Sequence, residues 1–69
     1  MDYATKIKLI RKNINITQED LAHELGVSFA TVNRWETGKS KPIKLAQKAI
    51  DLFCKENNID CGSNNEYNK

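Results

Sequence analysis

The sequence is poor in the residues that announce several kinds of protein. It has two cysteines, three glycines, one proline and one histidine among 69 residues. Cys54 and Cys61 allow at most one disulfide, fewer than a small secreted scaffold needs, so both are expected as thiols in a reducing compartment. With His23 as the only further soft ligand, they do not make a structural zinc site, and no metal is expected. No apolar run approaches the roughly 18 residues of a transmembrane span. The opening residues lack the apolar stretch of a secretory signal, so the expected location is cytoplasmic and away from membranes. No glycine loop of the phosphate-cradling kind exists, and no Ser or Cys stands at triad-like spacing from His23. A chain this short buries only about 60% of its unfolded surface, too little for a large enclosed active site. An enzyme is therefore not expected, nor a cofactor.

What is present is a normal globular composition, 39% hydrophobic and 29% charged, with a formal net charge of +2. The charge is polarised along the chain. Arg34, Lys39, Lys41, Lys44 and Lys48 face a single acid, Glu36, between residues 28 and 48, and Lys6, Lys8, Arg11 and Lys12 cluster near the start. The acids Glu19, Asp20 and Glu24 form one block, and Asp51, Glu56, Asp60 and Glu66 lie near the end. Such a distribution suits contact with a polyanion, although a charge run alone is more often a solvated face.

Apolar spacing divides the chain into helices. Tyr3, Ile7, Ile10 and Ile14 mark the first, over 4–14, with Asn15 placed to end it in the left-handed conformation and Ile16 returning to the core. Thr17 and Asp20 form a variant capping box for a second helix, whose stripe is Leu21, Ala22 and Leu25 and whose stop is Gly26. Ser28 caps a third, anchored by Val32 and Trp35 and closed by Gly38. Two helices joined by so tight a glycine turn describe a helix-turn-helix. Pro42 fits the first turn of a fourth helix, where Leu45, Ala46, Ala49, Ile50, Leu52 and Phe53 form a wide apolar arc that caps the core. Cys54 reads as a small apolar residue of that helix, and the composition after Glu56 turns to that of a frayed tail.

At 100° per residue, the third helix turns Ala30, Asn33, Arg34 and Thr37 away from Val32 and Trp35, with Phe29 at the edge. Arg and Asn carry the bidentate geometry that reads guanine and adenine in the major groove, and a small Ala allows close approach. Without the turn pattern, the same residues would read as a solvated helix face. Glu36, in a basic segment, reads as an ion-pair partner rather than a general base, and His23 as a solvated side chain.

The stretch from Ile16 to Pro42 resembles the phage-repressor and Cro-like helix-turn-helix family, of the XRE type, and the likeness extends over residues 3–56. The glycine, the caps, the spacing and the Trp35-Glu36-Thr37-Gly38 exit agree together. The resemblance implies an all-α bundle of four to five helices that binds double-stranded DNA as a transcriptional regulator, and it leaves a homodimer on DNA open without fixing the oligomeric state. It implies base reading by Ser28, Phe29, Ala30, Asn33 and Arg34, and phosphate contacts by Gln18, Thr37 and Lys39, to which the basic loop adds Lys41. It also implies a structural ion pair between Arg11 and Glu36. Phe29 departs from the polar residues common at its position, and either meets a thymine methyl or packs on a neighbour. The rival readings are an antitoxin-like or protein-interaction module with the same fold, whose fourth helix binds a partner, and a DNA-targeting component of a modification system. The expected division is a DNA-binding domain over 1–58 and a flexible tail over 59–69.

Overall fold

The computed structural model describes residues 2–59, and the expected tail from residue 60 onward, Cys61 included, lies outside the described residues. The fold is all-α, with four helices and no strand among the described residues: α1 (Tyr3–Ile14), α2 (Gln18–Leu25), α3 (Phe29–Glu36) and α4 (Lys44–Glu56). None is long and apolar enough to cross a membrane.

Each of the first three helices starts on a side chain that satisfies an orphan backbone N–H. The oxygens of Asp2, Thr17 and Ser28 accept from the amides of Thr5, Asp20 and Thr31. At α2 the bond is reciprocal: Asp20 accepts from the Thr17 amide at 3.2 Å, completing the capping box. The helix ends are alike in a way that fixes the path of the chain. A left-handed residue, Asn15, Gly26, Gly38 or Asn58, follows each helix. The next amide then bonds back five residues, in Ile16→Arg11, Val27→Ala22, Lys39→Arg34 and Ile59→Cys54. These are Schellman closures, in which the residue after the left-handed one ordinarily packs back on the helix. Ile16 and Val27 pack against the core and Ile59 is buried within it, so the packed chain runs one residue beyond the expected boundary at 58.

The core is made of Ile7 and Ile10 from α1, Leu21 and Ala22 from α2, Val32 and Trp35 from α3, and Ile50, Phe53 and Cys54 from α4, with Ile59. Ala22 is buried in α2, and a small side chain there suits the close packing of α2 with α3. The Lys6 ammonium, 3.1 Å from Asp51, ties α1 to α4 at the surface.

Two expectations for α4 need correction. Pro42 is not in its first turn. The helix starts at Lys44 from an extended Ile43, while the Pro42 ring is buried ahead of it and its carbonyl accepts from Gln47 Nε2 at 3.0 Å. The proline thus serves as a packing plug and an acceptor, not as a helix residue. The apolar arc is also narrower than its sequence: Leu45 is 75% exposed and Leu52 55%. Seven residues apart, they share a flank turned away from the face centred on Ile50 and Cys54, and that flank is left to solvent.

Candidate nucleic-acid interface

α3 is fixed from below by Val32 and Trp35, both buried, and the face it leaves to solvent holds the predicted readers. Ser28, Phe29, Ala30, Asn33, Arg34 and Thr37 are all exposed, as are Lys39 and Lys41 in the loop that follows. Phe29 keeps 53% of its surface accessible, so it is not a core residue. Among the described residues, Arg34, Lys39 and Lys41 have no acid as an ion-pair partner.

Several of these side chains are already committed within the protein. Ser28 Oγ accepts from the Thr31 amide at 3.2 Å and shares a proton with the Thr31 hydroxyl at 2.9 Å. Thr37 Oγ1 donates to the carbonyls of Asn33 and Arg34, at 3.0 and 3.2 Å. Asn33 Nδ2 donates to Gln18 Oε1 at 3.3 Å. Lys39 differs. It occupies the position after a left-handed residue that Ile16, Val27 and Ile59 fill in the other three closures, yet it is exposed. An aliphatic slot has been given to an ammonium at the one helix end beside the exposed polar face.

Beneath the face lies a buried charge. Glu36 is only 5% exposed, the one buried charged residue among the described residues. Arg11 grips it in a fork, Nε to Oε2 at 2.6 Å and Nη2 to Oε1 at 2.9 Å, while Nη1 reaches the Ile16 carbonyl at 3.3 Å. Gln18 Nε2 also donates to Oε1, at 3.0 Å. Burial pushes the Glu36 carboxyl up, but the bonds from Arg11 and Gln18, with the charges of Arg11 and Lys8, outweigh it and hold the group below its ordinary range. The carboxylate is ionised at neutral pH and locks α1, α2 and α3 together.

Sequence reasoning brought Arg11 to Glu36 through a resemblance, since 25 residues separate them and no helical period links such positions. It missed that Gln18 bonds both Glu36 and Asn33. The available signal was a lone acid in a basic segment, which needs more donors than one when buried. Elsewhere, a cleft of about 300 Å³ is lined by Ile14, Ile16, Asp20, His23, Glu24, Phe53 and Asn57. Asp20 and Glu24 give it the wrong sign for a polyanion.

A family model described as helix-turn-helix matches residues 7–53. The HTH-type transcriptional activator BcrR of Enterococcus faecalis is 38% identical over 53 residues, 77% of this chain but 26% of that protein. An uncharacterized HTH-type transcriptional regulator of Methanocaldococcus jannaschii is 49% identical over 70% of this chain and 74% of its own length. A third relative of the same description, from Archaeoglobus fulgidus, is 44% identical over 71% of this chain and 70% of its own. The chain thus spans about a quarter of the first relative and most of the other two. No solved structure matches the chain.

Proposed function

The chain belongs to the helix-turn-helix family, and from that premise we propose that it is a cytoplasmic, sequence-specific binder of double-stranded DNA that regulates transcription. In this reading α3 enters the major groove and presents Asn33, Arg34 and Ala30 to base edges, with Phe29 beside them against a thymine methyl. Gln18, Lys39, Lys41 and Thr37 hold phosphates on either side, so that contact with the backbone positions and contact with bases specifies. The observation that carries the reading is the exposed Arg34 and Asn33 face of α3, continued by a lysine in a slot where aliphatic residues close the other helices.

One such module buries only about 600–1,000 Å² of its surface on DNA, so useful affinity calls for two copies on a palindromic site. The uncovered flank of α4, Leu45 and Leu52 with Ile43 before it, supports contact with protein in addition to DNA. Selection of bound sites from a random duplex pool tests the whole reading. We expect an enriched palindrome, its symmetry reporting the stoichiometry. Arg34→Ala should cost ~1–3 kcal/mol on that site and little on random duplex. An equal loss on both would make Arg34 a phosphate contact, and no enriched site would refute sequence-specific binding.

A further inference from the structure

The bonds around Glu36 have a direction. A carboxylate has no proton to give, so the part of Gln18 that meets it must be the amino end of the amide. The Gln18 oxygen is then turned the other way, toward Asn33, and an oxygen can be met there only by a donor, which is Asn33 Nδ2. The two ends of an amide have nearly the same shape, so packing does not choose between them. The charge at the start of the chain does. Arg11 keeps that charge in place with two bonds of its own, and a third to the Ile16 carbonyl sets the guanidinium plane.

Resting on the reading of α3 as the base-reading helix, we propose that Glu36 is a positioning residue for recognition: through Gln18 it fixes which way round Asn33 holds its amide, and so selects adenine at the base that Asn33 meets. With one N–H given to Gln18, Asn33 retains a second N–H and its Oδ1, and the two stand side by side as donor and acceptor when the N–H anti to Oδ1 is the one given away. Adenine offers the complement in the major groove, the N7 acceptor beside the N6 amino donor. If Gln18 were reversed, its amino end would face Asn33. Asn33 would then turn its oxygen inward and lose the acceptor that the adenine amino group needs. Gln18 in turn keeps one N–H unspent, available to a phosphate oxygen.

Site selection from a random duplex pool, followed by affinity measurements on duplexes differing at one base pair, tests this in the full chain. The base position whose preference disappears in Asn33→Ala is the one Asn33 meets, and adenine is expected there in the wild type. Two variants then cut the relay differently. Glu36→Gln keeps the volume but can offer Gln18 either a donor or an acceptor; Gln18→Met keeps the Arg11–Glu36 pair and removes the middle amide. Both should reduce the wild-type preference for adenine, roughly 5-fold to 150-fold for a good bidentate pair, to under about threefold. The preference at the position assigned by Arg34→Ala should persist in both. Should Glu36→Gln fail to fold, Gln18→Met decides alone, its fold checked by thermal unfolding. An undiminished adenine preference in Gln18→Met overturns the relay while leaving DNA reading intact, as does a base other than adenine in the wild type. A wild type that enriches no sequence overturns the reading on which the relay rests.

Discussion

Removing either member of the Arg11–Glu36 pair strands the other in a site built for opposite charge. Glu36 is buried and Arg11 about a quarter exposed, so Glu36→Ala should cost about 3 kcal/mol, the lower end for a broken buried pair. Glu24→Ala, on the exposed side of α2, should stay within about 0.5 kcal/mol of the wild type. Replacing Arg11 and Glu36 together should cost less than the two single changes combined. A double-mutant cycle by thermal unfolding checks this, and strict additivity would mean that the pair contributes no coupling. At this scale the sequence was legible where a residue's role is local: the caps Thr17 and Ser28, and the core positions of Val32 and Trp35, follow from spacing alone. The bonds among Gln18, Asn33 and Glu36 were not legible, because they join residues 15 and 18 apart on helices whose crossing angle no periodicity encodes.

The helices themselves are set more by their ends than by their middles. Gly26 sits at φ +73° with no atom within 4 Å of where a Cβ would lie, so a side chain there meets no clash with a neighbour. The cost of Gly26→Ala is therefore conformational, about 1–2 kcal/mol for a left-handed L-residue, and Gly26→Asn should recover part of it, since Asn15 and Asn58 already adopt that conformation. Urea unfolding of the two variants measures the difference; equal stability for Ala and Asn would show that another property of the turn is limiting. Element ends were largely readable, because Asn, Gly, Ser and Thr punctuate them by known stereochemistry. α4 was misread for two physical reasons. A proline tolerated at a first helical position is tolerated equally just outside it, and an apolar stripe does not reveal how much neighbouring surface exists to cover it.

For the molecule as a whole, the basic face should make affinity for any duplex depend on salt. If Lys39 holds a phosphate, Lys39→Ala should reduce the slope of log K against log salt by roughly 0.9; an unchanged slope would remove Lys39 from the contact set. The spacing of the helices has a separate consequence, for speed. Three residues join α1 to α2 and three join α2 to α3, so much of the chain meets near neighbours, and a low-contact-order topology of this kind folds in microseconds to milliseconds. The Arg11–Glu36 clasp is an exception, spanning 25 residues. If it closes only after the barrier has been crossed, Glu36→Gln should leave the refolding arm of a chevron nearly unmoved and steepen the loss through faster unfolding. Temperature-jump relaxation across denaturant would show it, and a matching slowdown in refolding would place the clasp inside the folding nucleus. A bond that closes late lengthens the lifetime of the native state, and under the proposed function that lifetime sets how long each molecule stays competent to bind between spontaneous openings.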